Sequence, residues 1–199
     1  MLAIWLKICE RTGIKEVTIN LHAHTESVRA ALDQYGSTIS VRLYEEPLLL
    51  GSAGTLIRNR DWVADEPYFW VFYADVLTNA NLKNMLSYHI NSNMIATIGV
   101  YRVKNPNSCG IVSFDREHVV QEFVEKPSHP KSDWAFSGLM IAAPSLLDWI
   151  PHRSPVDLGF DVLPSLAGRV RGYPITEYLV DIGTPDSYNA AQKTWPGLH

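Results

Sequence analysis

Tyr68-Phe69-Trp70-Val71-Phe72-Tyr73-Ala74-Asp75 is a near-continuous apolar run that stops at a carboxylate. Runs of this kind read as a strand buried on both faces, as in the sheets of α/β proteins. An aspartate just beyond such a strand stands where open α/β sheets bind ligands, outside the carboxyl ends of their strands. Outward on the N-terminal side, Leu2, Trp5, Leu6 and Cys9 share one helical face, and Gly13 is placed to stop that helix. Residues 17–21 follow as a strand, 25–32 as a helix ending near Gly36, 39–44 as a second strand, and 51–56 open a further helical stretch. On the other side, 81–90 read as a helix and 94–103 as a strand. This alternation predicts a Rossmann-like α/β fold, with a mostly parallel sheet flanked by helices.

After Pro106 the texture changes. Short β-rich segments at 110–114, 119–124 and 134–141 are separated by turns containing Asp115, Lys126-Pro127 and Pro130, so mixed or antiparallel strands are expected there. Residues 144–150 and 159–166 read as helical, 170–175 and 177–180 as extended, and 185–195 as a final helix.

Bulk properties narrow the function classes. A chain of 199 residues, 46% hydrophobic, is long enough for one sizeable core. A net charge of -4, without Lys/Arg clusters among aromatics, argues against a nucleic-acid polymer as partner. Cys9 and Cys109 have neither CxxC spacing nor a disulfide framework, which fits a reducing cytoplasm and argues against a zinc site. His22 and His24 read as a polar strand end. The apolar start is interrupted by Lys7 and closed by Glu10-Arg11 without a small-residue cleavage site, so an amphipathic helix is the better reading than a signal peptide. No run approaches a membrane span.

Asp181-Ile182-Gly183-Thr184, with Pro185 next, follows the apolar residues Tyr178-Leu179-Val180. This is either a strand, a turn and a helix start with Thr184 as cap, or a carboxylate at a strand end held out to a metal. If Asp75 and Asp181 meet, they could share Mg²⁺, which prefers one or two carboxylates together with substrate phosphates. Each alone could equally be a turn former. Glu125-Lys126-Pro127 closes the strand at 119–124: Lys126 could serve a phosphate and Glu125 ligand hydroxyls, or the two could be a solvated ion pair. Ser137-Gly138 inside a strand marks close approach by a ligand or backbone, or a bulge. Gly51-Ser52-Ala53-Gly54 could admit a flat base or a phosphate at a helix start, although it has neither standard phosphate-loop spacing, and a plain helix start is the alternative.

Taken in order, Pro47, Gly51-Ser52-Ala53-Gly54-Thr55-Leu56, Ala74-Asp75, Cys109-Gly110-Ile111-Val112, Phe123-Val124-Glu125-Lys126-Pro127, Ser137-Gly138 and Asp181-Ile182-Gly183-Thr184-Pro185 resemble the sugar nucleotidyltransferases. These NDP-sugar pyrophosphorylases include mannose-1-phosphate guanylyltransferases and glucose-1-phosphate thymidylyltransferases. The resemblance runs from Met1 to about Trp195. It implies one nucleotidyltransferase-like domain over 1–199, with a nucleotide-binding part (1–105) and a smaller, β-rich sugar-phosphate-binding part (106–199). It further implies a cytoplasmic transferase whose partners are a nucleoside triphosphate and a sugar 1-phosphate, with Mg²⁺ as cofactor. Position by position, Asp75 and Asp181 would hold Mg²⁺, Lys126 would bind the sugar phosphate, Glu125, Ser137 and Gly138 would border the sugar, and Gly51 to Gly54 would border the base.

The chain departs from the family pattern in three places. The family opens with a strand and a Gly-rich loop, usually GGxGTRL, and here Met1-Leu2 already begins the first helix. A strand and loop on the order of 25 residues are therefore expected to be missing, along with the main triphosphate grip. A chain short of a central strand has reason to associate with a second copy. Phe136 stands where the family has Asn before Ser/Ala-Gly, so the sugar pocket is expected to be altered. Ala74 replaces a common Gly, a mild change. Besides the transferase, two other readings stand: a non-catalytic relative that binds a sugar nucleotide or regulates a homologous subunit, and a glycosyltransferase of related fold.

Overall fold

The computed structural model describes residues 1–36 and 38–198. Local chemistry sets the helix ends. α1 (Leu2–Thr12) closes on Gly13, whose backbone is left-handed (φ 88°), a conformation open to glycine without a Cβ penalty. α6 (Pro185–Thr194) opens on a capping box. The Thr184 hydroxyl accepts the Ser187 N–H, the Ser187 hydroxyl accepts the Thr184 N–H, and Pro185 occupies the first turn.

Between them run β1 (Glu16–Leu21), α2 (Thr25–Tyr35), β2 (Ser40–Glu45), α3 (Ser52–Arg58), α4 (Arg60–Val63), β3 (Phe69–Phe72), β4 (Val76–Thr78), α5 (Leu82–Ile90), β5 (Ala96–Arg102), β6 (Gly110–Phe114), β7 (Val120–Glu125), β8 (Trp134–Ala142), β9 (Val170–Pro174) and β10 (Leu179–Asp181). Of the three stretches expected as helices after residue 140, 185–195 is α6, whereas 144–150 is a 3₁₀ segment (Pro144–Trp149) and 159–166 a π-type turn (Leu158–Val162) followed by a 3₁₀ turn (Leu163–Leu166). Pro144 and Pro164 each stand in the first turn of their segment, as Pro185 does in α6, so they do not account for the shortness of these turns.

The α/β class is as read, and the balance of strand directions is mixed. The largest sheet has the order β7-β6-β8-β5-β9, with β3 also paired to β8. Within it only β5 and β9 are parallel, while β3, β5 and β6 all run antiparallel to β8. The cause is β8 itself, which returns from the β-rich segment through the middle of the sheet. Its N-terminal end meets Ile111 of β6 through Ala135, and its C-terminal end carries β3. Strands from before and after residue 106 thus share one sheet. β1 and β2 form a separate parallel pair.

Alternation along β8 divides the core. Met140 and Ala142 pack with Ile98, Val100, Leu158, Val162 and Leu166 on one face. Leu139 and Ile141 pack with Trp5, Ile8, Leu82 and Met85 on the other. Each such side chain contributes roughly 1.5–3 kcal/mol on burial, so this two-sided packing dominates stability. β3 is less enclosed than its composition implies: Phe69 is buried, whereas Trp70, Val71 and Phe72 are half-buried. Among the described residues β3 pairs with β8 alone, and Trp5 of α1 stacks on its Phe72 at 4.6 Å on the face shared with Leu139 and Ile141. The Trp5 indole N–H donates to Val76 O at 3.1 Å, tying α1 to the chain just beyond Asp75. No described helix is long and apolar enough to cross a membrane.

Candidate active site

Beyond β3 the chain stays extended for one residue, with Tyr73 N–H donating to Gly138 O (2.9 Å), then turns through Ala74-Asp75 into β4. β4 pairs antiparallel with β10, with Val76 opposite Asp181, and Ile182 N–H donates to Asp75 O (2.8 Å). This short ladder brings two sequence-distant aspartates side by side. A Cβ on Gly183 would lie 3.0 Å from Asp181 Oδ1 and 3.4 Å from Asp75 Oδ2, so both carboxylates converge on the bare glycine. Gly183 N–H donates to Asp181 Oδ1 (2.7 Å), which orients that carboxylate. Asp75 reaches solvent, yet desolvation by partial burial, then repulsion from Asp181, push its carboxyl above the usual range. Among the described residues no cluster of three or more His, Cys, Asp or Glu could hold a metal ion.

A second group gathers around Glu125 at the end of β7. Gly110 and Gly159 press on its carboxylate: a Cβ on either would come within 2.5 and 2.4 Å of Oε2. Burial raises the Glu125 pKa, Lys126 opposes the shift, and Asp157 adds to it. Lys126 has left-handed backbone (φ 49°), uncommon for a non-glycine residue and more so before a proline, and its N–H donates to Cys109 O (3.0 Å). Its ammonium is exposed, 6.0 Å from the Phe160 ring.

Tyr73 links the groups. Burial, the largest influence, pushes its hydroxyl up to about 12; Ser52 opposes that shift, and the charges of Asp157, Glu125 and Asp75 add to it. Tyr101 is pushed to about 12 by burial and lies within reach of the Cys109 and Asp181 charges. The charges of Asp75, Glu125 and Asp157 thus all reach Tyr73, and the Lys126 ammonium acts on Glu125.

The small residues at 51–54 meet the chain's own backbone. Ala53 N–H (3.0 Å) and Gly54 N–H (3.2 Å) both donate to Val156 O, and Val156 N–H donates to Leu50 O (2.8 Å). Ser52 Oγ donates to Asp157 Oδ2 (2.8 Å). Ser137 and Gly138 form a bulge in β8 opposite Gly99, where the register slips between Ile98 and Val100. Gly138 has φ 77°, a Cβ there would lie 2.8 Å from Tyr73 Cβ, and the buried Ser137 hydroxyl accepts Leu139 N–H (3.3 Å). Phe136 turns into the aromatic wall, 5.7 Å from Tyr73 and 6.3 Å from Phe123.

Sequence reasoning missed Tyr73, Tyr101 and Asp157. Tyr73 reads as one more aromatic of a core strand. Asp157, two residues before Gly159, carries the signature of a turn or cap, and nothing local says that it faces Ser52.

A sequence profile of the nucleotidyl transferase family matches residues 1–196. The chain is 27% identical over 181 residues to the mannose-1-phosphate guanylyltransferase catalytic subunit beta of Drosophila pseudoobscura pseudoobscura, covering 88% of this chain and 48% of that protein. It is 32% identical over 158 residues to the mannose-1-phosphate guanyltransferase beta-A of Xenopus laevis, covering 77% and 43% respectively. The chain thus spans about half the length of these relatives. A putative glucose-1-phosphate thymidylyltransferase from Bacillus anthracis, solved with a sucrose, superposes with a TM-score of 0.84 at 18% identity, over 96% of this chain and 81% of that one, a likeness of fold.

Proposed function

The chain belongs to the nucleotidyl transferase family, and from that premise we propose that it transfers a nucleoside monophosphate from a nucleoside triphosphate to a sugar 1-phosphate. An oxygen of the sugar phosphate attacks the α-phosphorus in line, the bond to the β-phosphate oxygen breaks, and pyrophosphate leaves. The names of the two relatives make GTP and mannose 1-phosphate the first pair to test.

The observation that carries this reading is the convergence of Asp75 and Asp181 at Gly183. Two carboxylates, with no third His, Cys, Asp or Glu beside them among the described residues, suit Mg²⁺, which keeps several waters and takes its remaining ligands from phosphates. Bound there, Mg²⁺ would neutralise charge on the triphosphate. In a cleft dominated by carboxylates, two phosphorylated substrates cannot approach one another without such a counter-charge. The chain's own residues supply position: Glu125, with its carboxylate held between two glycines, accepts sugar hydroxyls, and the exposed Lys126 meets the sugar phosphate. Holding two reactants in line is worth roughly 7–11 kcal/mol of the barrier, so a site made chiefly of positioning groups is sufficient in kind.

The test is release of pyrophosphate from GTP and mannose 1-phosphate, and from a panel of other triphosphates and hexose 1-phosphates, with Mg²⁺ or with EDTA. Release only with Mg²⁺ and both substrates is expected, and no release from any pair would overturn the assignment. Lys126→Ala should raise the KM for sugar 1-phosphate roughly 10- to 100-fold, the scale of a lost hydrogen bond to a charged group, and change the triphosphate KM little. An unchanged sugar-phosphate KM would refute its role. One observation favours a second reading. Phe136 packs against Tyr73 and Phe123 and presents no polar group to a sugar. Saturable binding of GDP-mannose without pyrophosphate release would assign the chain to the non-catalytic binders.

A further inference from the structure

Asp157 is a hub that neither the family motifs nor the proposed chemistry requires. Its Oδ1 accepts Gly159 N–H (2.8 Å) and Phe160 N–H (3.0 Å), and its Oδ2 accepts the Ser52 hydroxyl (2.8 Å). Ser52 Oγ accepts Leu158 N–H in return (2.8 Å). Asp157 N–H donates to Asp161 Oδ2 (2.8 Å), and Asp161 is ion-paired with Arg153. The partners fall on two sides of the cleft. Ser52 belongs to the small-residue stretch 51–54, zipped to Val156 by Ala53 and Gly54. Gly159 abuts the Glu125 carboxylate, and Phe160, exposed, lies over the Lys126 ammonium. A displacement at Ser52 therefore passes through one carboxylate to the backbone that backs Glu125 and faces Lys126, along hydrogen bonds of 2.8–3.0 Å.

We infer that Asp157 and Ser52 are positioning residues that couple the nucleotide side of the cleft to its sugar-phosphate side. The inference rests on the transferase reading, which makes 51–54 the nucleotide side and Glu125-Lys126 the sugar side. Nucleotide seated against 51–54 sets Ser52, Ser52 sets Asp157, and Asp157 holds Gly159 and Phe160 where Glu125 and Lys126 meet the sugar phosphate. Because coupling of this kind is reciprocal, sugar phosphate tightens nucleotide by the same factor.

The experiment is calorimetric titration of mannose 1-phosphate into the protein with Mg²⁺, in the absence and presence of saturating α,β-methylene GTP, which cannot lose pyrophosphate. In the wild type the analogue should tighten mannose 1-phosphate by about fivefold or more. Ser52→Ala and Asp157→Asn should bring that ratio within about twofold of unity, and Ser52→Thr, which keeps the hydroxyl, should preserve it. A purely structural cap would lower the melting temperature of Asp157→Asn and leave the ratio intact in Ser52→Ala. That result, or a wild-type ratio of one with both ligands binding, overturns the coupling alone. Failure of the wild type to bind either ligand overturns the transferase reading, and the coupling with it.

Discussion

Asp181→Asn is expected to lower Mg²⁺-dependent pyrophosphate release by roughly 10³-fold, the upper range for loss of one preorganised electrostatic group, while the protein stays folded. Asp75→Asn should do the same. The fold should survive because the substituted amide keeps an oxygen to accept the Gly183 N–H, and Asp181 is exposed. The sign of the stability change sharpens the test. The Asp75 carboxyl is raised in the folded protein, by desolvation first and by Asp181 second. A raised acid favours folding while protonated, below its unfolded pKa, and that contribution is lost as pH rises through the folded value. At neutral pH the metal-free pair is therefore a liability. Asp181→Asn should bring the Asp75 pKa down and melt no lower than wild type in EDTA. Wild type should gain melting temperature on adding Mg²⁺, as any ligand of the native state provides, and the variant should not. Wild-type activity in either variant, or equal Mg²⁺ stabilisation of both, would sink the two-carboxylate site.

Gly51→Ala is expected to destabilise the protein by about 3 kcal/mol, the sum of a glycine-only backbone and a steric overlap. Gly51 has φ 80° and ψ 162°, a region essentially reserved for glycine. A Cβ there would lie 2.3 Å from Val156 O and 2.9 Å from Val156 N, backbone atoms that accept from Ala53 and Gly54 and donate to Leu50. Neither can move without opening that zipper. For a chain of this size the loss corresponds to a fall in melting temperature of about 6–12 °C. Gly168→Ala is the informative control: its φ is also positive (77°), yet a Cβ there meets nothing within 4 Å, so it should cost less. Equal effects at the two positions would show that the overlap with Val156 does not matter.

Much of the scaffold was legible because it follows local rules. Gly13 stops α1, Thr184 and Pro185 start α6, and the apolar run through Phe72 is a strand, each for reasons contained within a few residues. The motif order also pointed to Asp75, Glu125, Lys126 and Asp181. What was not legible depends on contacts between distant segments. β4 and β10 have three residues each, too few to show a period, yet their pairing is what joins the two aspartates. The direction of β8 follows from which strands it returns between, a matter of topology rather than of pattern. Gly51 to Gly54 read as space left for a ligand, and at least part of that space is taken by Val156, which nothing in either stretch announces. Asp157 escaped for the same reason: its cap to Gly159 is local, but its bond to Ser52 is not.

The separateness of the β1–β2 pair bears on how the molecule comes apart. α2, which connects the two strands, has no buried residue, and the cluster under them contains only Leu6, Cys9 and Ile39 as buried members among the described residues. β5 and β8 instead lie within the large two-sided core. Opening free energies scale with such burial, so residues 16–45 should form a cooperative unit of their own, one that melts before the rest. Native-state hydrogen exchange should find the amides of β1 and β2 exchanging through openings well below the global unfolding free energy, with those of β5 and β8 waiting for complete unfolding. Equal protection in both would mean that a single transition governs the whole chain.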